Sequence, residues 1–260
     1  MSGFHARVTF LGTGTSHGVP AIGCGCVTCR STDPRDRRWR PSILIEIDGG
    51  ATILVDTSPD LRAQALAFGF TRIDAILYTH AHADHLLGLD DIRRFNDLQG
   101  APIPCYGNRR TLKEIRRTFA YAFRPGPYGG GIPRVNLFPV EGAFSLAGVE
   151  IVPVPVIHGT EHILGFRFGP FAYLTDCSAI PEASRALLDG VRHLAIDALR
   201  ERPHPTHFSL SEALEFIGQL KPAHAWLTHI CHDLGHAATS ARLPAGVELA
   251  YDGLRVEVTG

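Results

Sequence analysis

YTHAHADHLLG, residues 78–88, constrains this chain more than any other stretch. His80, His82, Asp84 and His85 put four metal-ligand side chains into six positions, directly after an apolar run at residues 73–78. Hydrophobic packing has no use for such a cluster, and burying polar rings without partners costs roughly a few kcal/mol each. The H-x-H alternation sets two imidazoles on one side of an extended turn. Asp84 and His85 follow on the next turn, a spacing that suits two adjacent metal ions better than one. A solvated polar turn is the weaker alternative.

Strands are expected at residues 8–11, 43–47, 52–55, 73–78, 105–106, 149–157, 164–168, 172–174, 193–196, 225–227 and 254–258. Asp48–Gly49–Gly50 supplies the turn between the second and third of these. Helical patterns cover 59–68, the stripe Leu86, Leu89, Ile92 and Phe95, then 111–121, 181–188 and 209–220. The last opens with a capping box from Ser209 to Glu212, and a further helix is expected from about His232. The Gly/Pro stretch at 123–133 reads as a flexible loop on the rim of a site. GTGTSHG, after the first strand, lacks the spacing of a dinucleotide loop and reads as a tight turn that brings backbone close to the site. No linker or charge run divides the chain. The fold class is therefore α/β, one domain over residues 1–260, with two mixed sheets, helices outside and the motif loops at one edge.

Three more ligand-type residues follow apolar runs: His158, Asp176 and His229. Each alone reads as a satisfied turn residue; with the first cluster they complete a set of seven. Imidazole and carboxylate donors suit Zn²⁺, with Mn²⁺ or Fe²⁺ as alternatives. Two such ions about 3.5–4 Å apart lower the pKa of a bridging water and clamp the attacking and leaving oxygens of an in-line displacement. Asp56 and Asp197 end two other apolar runs and read equally as acceptors for imidazole N–H groups or as turn caps.

The 25 basic and 26 acidic side chains leave a formal charge of −1, so the global footprint of a nucleic-acid binder is missing. No basic segment followed by an apolar one opens the sequence, and no apolar run has the length of a membrane span. The expectation is a cytoplasmic protein with reduced thiols. In GCGCVTC, residues 23–29, the thiols of Cys24, Cys26 and Cys29 then read as three ligands of a tetrahedral metal site. Cys105 and Cys177 lie in strand-like contexts and read as core.

T-H-x-H-x-D-H, followed by a His, an Asp and a His at separate strand ends, resembles the metallo-β-lactamase superfamily. The resemblance spans nearly the whole chain. It implies a four-layer αββα sandwich with a dinuclear centre at one edge of the sheets. It assigns His80, His82 and His158 to a first metal, Asp84, His85 and His229 to a second, and Asp176 to both. His207, just before the helix at 209–220, resembles the general acid of phosphodiesterase branches; its competing reading is a helix-capping residue. Asp84 is the other catalytic candidate. The cysteine pattern, His207 and the late TH-x-x-H (His229 and His232) resemble a sub-branch that includes the cyclic phosphodiesterase of phosphonate degradation. The implied substrate is a small phosphodiester and the implied assembly a homodimer, without membrane or nucleic-acid partners. Arg35 to Arg40, Arg93, Arg94, Arg109 and Arg110 are candidate phosphate contacts, most of them solvated surface.

Two rival branches share parts of the pattern. A tRNA 3′-processing nuclease needs a basic gripping arm, for which residues 123–133 are too short and too uncharged. A quinone-cofactor biosynthesis protein shares the cysteine motif. With His229 assigned to the dinuclear pair, THICHD offers His232 as fourth ligand of a structural Zn²⁺, with Cys231 as its competitor. Such a closed Cys₃His site does no chemistry. It ties the N-terminal loop to the segment that carries His229.

Overall fold

The computed structural model describes residues 4–124 and 131–260. Its strands are β1 His5–Gly12, β2 Ser42–Ile47, β3 Thr52–Val55, β4 Ala75–Leu77, β5 Ile103–Gly107, β6 Val135–Pro139 and β7 Phe144–Leu146 in the first part of the chain. They continue with β8 Val149–His158, β9 Glu161–Phe168, β10 Phe171–Leu174, β11 His193–Asp197, β12 His224–Thr228, β13 Val247–Leu249 and β14 Arg255–Thr259. The α-helices are α1 Leu61–Phe68, α2 Ala83–Leu86, α3 Ile92–Gln99, α4 Arg109–Thr118, α5 Glu182–Arg185, α6 Leu210–Leu220 and α7 His236–Ser240.

Two seven-stranded sheets result, in the orders β14-β1-β2-β3-β4-β5-β6 and β13-β12-β11-β10-β9-β8-β7. Both are mixed, as expected. The pairs β1/β2 and β2/β3 are antiparallel, the second a hairpin, whereas β3, β4, β5 and β6 run parallel. The second sheet mirrors this plan: β8/β9 and β9/β10 are antiparallel, and β10 to β13 are parallel.

Apolar residues at consecutive positions explain why the sheets stack. Ile43, Ile45, Ile53 and Val55 point into the core between the sheets, while Leu44 and Leu54 point out beneath the helices. On the facing sheet Phe171 and Tyr173 point inward, and Ala172 and Leu174 outward. A strand buried on both faces reads as a continuous apolar run because successive side chains alternate faces. Leu61, Ile92, Phe95, Leu112 and Ile115 cover one outer face, and Leu210, Ala213, Phe216 and Ile217 from α6 cover the other. Each such side chain contributes about 1.5–3 kcal/mol when fully buried. The capping box at Ser209 and Glu212 is present at the start of α6.

Several elements differ from expectation. The stripe from Leu86 to Phe95 is not one helix: a 3₁₀ segment, Leu87–Asp91, separates α2 from α3. Gly88 passes so close to the chain at Ser58 that a Cβ there would lie 2.0 Å from the Ser58 carbonyl oxygen. The helix expected from His232 starts at His236, since residues 231–235 form turns. β6, β7 and β13 were not anticipated, because they are short and alternate exposed with half-buried or buried positions. Residues 125–130 of the rim loop expected at 123–133 lie outside the described residues.

The Gly88 contact predicts the direction of two substitutions. Gly88→Ala forces backbone apart and is expected to cost about 1–3 kcal/mol. Gly218, inside α6 with nothing within 4 Å of its would-be Cβ, is expected to gain about 0.5–1 kcal/mol on change to Ala. Thermal unfolding of the two variants checks both signs, and a Gly88→Ala protein as stable as the parent contradicts the packing described.

Candidate dinuclear metal centre

The site is assembled where strand ends meet. The turn after β4 carries Thr79 and His80, His82 is the extended N-cap residue of α2, and Asp84 and His85 lie inside that short helix. His158 is the last residue of β8. Asp176 and His229 follow β10 and β12, and both adopt left-handed backbone, with φ of 55° and 57°. Asp56 follows β3 with φ of 62°. Non-glycine residues held there cost on the order of 1–3 kcal/mol each and collect where the surrounding structure needs a side chain aimed.

All seven side chains expected from the sequence come together. His80, His82 and His158 form one group, and Asp84, His85, Asp176 and His229 another, with ligand atoms within 4.8 Å of one another in each. Asp176 links them. Its Oδ1 lies 3.1 Å from His85 Nε2 and 3.2 Å from His229 Nδ1, and its Oδ2 lies 4.0 Å from His80 Nε2. Those three ring nitrogens are buried and make no hydrogen bond. A buried nitrogen left unpaired costs about 1–3 kcal/mol, and three of them converging on one carboxylate fit divalent cations.

The opposite nitrogens of His80 and His85, and Nδ1 of His158, are anchored. His85 Nδ1 donates to Asp56 Oδ2 at 2.7 Å. Thr79 Oγ1 donates to the same oxygen at 2.8 Å, and so can accept from His80 Nδ1 at 3.0 Å. His158 Nδ1 donates to the Thr206 carbonyl at 2.7 Å. These bonds fix the orientation of each ring, with its other nitrogen toward the centre. Burial, and then the charge on His85, push the His80 pKa well down. Burial likewise takes His229 down to about 3, so both rings stand neutral, the form that ligates.

His207 stacks on His229, with ring centroids 4.8 Å apart and planes 11° apart. Its Nδ1 donates to Asp197 Oδ2 at 2.8 Å. Asp56 and Asp197 are thus acceptors for imidazoles rather than turn caps. A cleft of about 310 Å³ opens beside His207, lined by residues that include Thr15, His17, Arg200, Arg202, His204 and His232.

Cys24, Cys26 and Cys29 converge on His232, whose Nδ1 lies 3.2, 3.4 and 3.5 Å from their sulfurs. Cys231 does not join them; its sulfur accepts from the Asp233 amide at 3.3 Å. The Cys29 amide hydrogen bond holds the Cys26 thiol down to about 6, although burial opposes it, so the thiolate is available to a metal. Cys105 and Cys177 are fully buried, as expected of core residues.

The chain matches the beta-lactamase superfamily domain over residues 51–230, and that span holds all seven candidate ligand positions. It belongs to the metallo-β-lactamase superfamily. A protein of Porphyromonas gingivalis described as an octanoyltransferase is 39% identical over 252 residues, which are 95% of this chain and 51% of that protein. The chain therefore spans about half the length of that relative. Coenzyme PQQ synthesis protein B of Methylobacterium radiotolerans is 27% identical over 74% of this chain and 72% of its own length. A crystal structure described as a new diphosphatase from the PhnP family superposes with a TM-score of 0.92 at 47% identity, covering 98% of each chain.

Some functional residues escaped the sequence reading. Thr79 relays between Asp56 and His80, and its place beside His80 in the motif was the only signal. The Thr206 carbonyl that orients His158 gave none, since every residue has a carbonyl. Arg200 and Arg202 line the cleft, whereas the arginines singled out are largely engaged elsewhere. Arg35 pairs with Asp33, Arg93 with Asp90, Arg109 with Glu141 and Arg110 with Glu161. Arg38 is buried and takes no part in a phosphate-facing surface.

Two substitutions separate the clusters. Asp176→Ala is expected to lower bound metal by about one to two ions per chain while leaving the cysteine site loaded, since a bridging ligand serves both positions. Cys26→Ser is expected to lower zinc by about one ion per chain and to leave the histidine-aspartate site loaded. Metal analysis at equal protein concentration checks both, and cysteines freely alkylated in a parent protein with full metal content contradict the second.

Proposed function

We propose that the chain is a metal-dependent phosphodiesterase that converts a small phosphodiester to a phosphomonoester. His207 carries the reading. An imidazole with one nitrogen tied to a buried carboxylate, stacked on a ligand histidine and lining the adjoining cleft, has the placement of a general acid for a leaving oxygen. The proposed cofactors are two divalent ions, Zn²⁺ or Mn²⁺, held by His80, His82 and His158 and by Asp84, His85 and His229, with Asp176 between them. A separate structural Zn²⁺ is proposed at Cys24, Cys26, Cys29 and His232. When bound, the pair supplies Lewis-acid polarisation of a phosphoryl oxygen and a water acidic enough to attack near neutral pH.

The chain's own groups do the rest. Asp56, through His85 directly and through Thr79 to His80, keeps the ligand rings from rotating. Burial draws the His207 pKa down, but the hydrogen bond and charge of Asp197 outweigh it and hold the ring above its ordinary range. That shift favours the protonated ring, and as general acid His207 would pass its Nε2 proton to the departing oxygen as the P–O bond breaks. Asp197 is fully buried and steadies the imidazolium before transfer. The cleft of about 310 Å³ beside His207 has room for a small leaving group.

The diphosphatase related at 47% identity supports extending the substrate class to diesters joined through a phosphoanhydride, whose leaving group is itself a phosphate. The relatedness to coenzyme PQQ synthesis protein B keeps a second reading, an enzyme of quinone-cofactor biosynthesis. The His207–Asp197 pair beside a full ligand set favours hydrolysis.

Metal-loaded protein is expected to hydrolyse bis(p-nitrophenyl) phosphate and to leave a thioester and a lactone nearly untouched. His207→Ala is expected to slow alkyl diesters by about 10²–10⁴-fold, and p-nitrophenyl diesters little, because p-nitrophenolate leaves without a proton. An equal loss on both substrates assigns His207 to positioning instead.

A further inference from the structure

Arg38 is the most unusual buried side chain in the molecule that the proposed chemistry does not use. Its side chain is 0% exposed. One guanidinium nitrogen, Nη1, donates to the Cys231 carbonyl at 3.0 Å. The other, Nη2, donates to the Leu234 carbonyl at 2.7 Å and to Asp36 Oδ1 at 3.1 Å. Asp36 Oδ1 also accepts from the His236 amide at 2.8 Å. A burying cost of this size is met only when a charge finds several partners. Here two of the three bonds Arg38 donates fall on one segment, residues 231–234, and the third goes to Asp36, which itself holds the His236 amide.

That segment carries two jobs at once. His232, between the two clasped carbonyls, faces the three thiols. His229, two residues before Cys231, faces Asp176. The backbone of Arg38 also reaches the other side of the cysteine loop: its amide donates to the Val19 carbonyl at 2.8 Å, and its carbonyl accepts from the Val19 amide at 2.9 Å. One residue thus touches the chain just ahead of Cys24 and the turn that presents His232.

We propose that Arg38 is the positioning residue of the cysteine cluster, a clasp that fixes residues 231–236 and the start of the cysteine loop in ligating geometry before any ion arrives. The part that concerns the cysteines rests on their reading as a metal site. An arginine is required because the planar fork meets two carbonyls and a carboxylate together; a lysine ammonium carries charge but reaches as a single point. With the clasp in place, metal binding orders little chain, and its free energy goes into affinity rather than folding.

Arg38→Lys tests this while keeping a cation beside Asp36. The expected result is a folded protein in which Co²⁺ titrated into the cysteine site, followed by its thiolate-to-cobalt charge-transfer absorption, binds about 10–100-fold more weakly. Hydrogen exchange at the amides of Ile230, Cys231 and His236 is expected to quicken in parallel. Arg37→Lys, at the exposed neighbour, should change neither readout. In the parent protein stripped of cysteine-bound metal by a chelator, those three amides should stay protected, because the clasp keeps the segment against their acceptors, the Thr13 and Leu199 carbonyls and Asp36. Their exchange at the rate of an exposed loop in that stripped parent overturns the proposal, and so does a folded Arg38→Lys protein with parental cobalt affinity. The stripped-parent arm stands if Arg38→Lys fails to fold. If the parent gives no thiolate-to-cobalt band at all, the cysteine-site reading fails, and the amides still decide whether Arg38 holds the segment.

Discussion

Asp176 is where the two sheets become one site. Its two oxygens lie between His80 and His85, which follow a strand of the first sheet, and His229, which follows a strand of the second. A carboxylate 2% exposed among imidazoles is stable only if their positive charge, or that of a bound cation, offsets the desolvation of its own. The net effect here is a pKa well below the carboxylate range: burial opposes it, and the positive charge on the neighbouring His85 helps to overcome that opposition. The rest of the architecture serves this meeting point. Parallel strands deliver their C-terminal ends to one edge, and the apolar layer between the sheets keeps those ends in register.

Aiming side chains from strand ends into a shared centre demands unusual backbone. Asp56, Asp176 and His229 all occupy left-handed φ immediately past β3, β10 and β12. The scaffold that tolerates this is the double-sided burial of those strands, with residues such as Val55, Leu174 and Leu227 fully inaccessible. Rigid strands absorb the strain that mobile loops would release. The outer ring of acceptors, Asp56 for His85, the Thr206 carbonyl for His158 and Asp197 for His207, then removes the remaining rotational freedom.

The cysteine cluster and the dinuclear cluster share a short stretch of chain. His229 belongs to one and His232 to the other, with Ile230 and Cys231 between them. Ile230 is stitched to the glycine-rich turn, donating to the Thr13 carbonyl at 2.8 Å. Asp252 reinforces that turn, accepting from the Thr13 amide and hydroxyl and from the Trp39 amide. The glycines of GTG have their reason here. A Cβ at Gly12 would lie 2.0 Å from the Arg40 carbonyl oxygen, so the chain at 38–40 could not cross so close over any larger residue.

The ligand chemistry was legible in the sequence because it is local or strand-terminal. His80, His82, Asp84 and His85 sit in one motif, and His158, Asp176 and His229 each follow an apolar run, so they stood out once the motif and the family resemblance gave those run ends a meaning. The sheets were legible for the same reason: a strand buried on both faces must be apolar throughout. The tertiary structure alone decided the relations between distant backbone groups. Only the fold shows that the Thr206 carbonyl orients His158, that the turn at 231–235 delays α7 to His236, and that Arg38 faces carbonyls rather than phosphate. A carbonyl carries no residue signature, and a buried arginine looks in sequence like an exposed one. Side-chain type determined which chemistry the chain can do. The packing of segments far apart in sequence decided where each group points, because only there do backbone donors and acceptors meet.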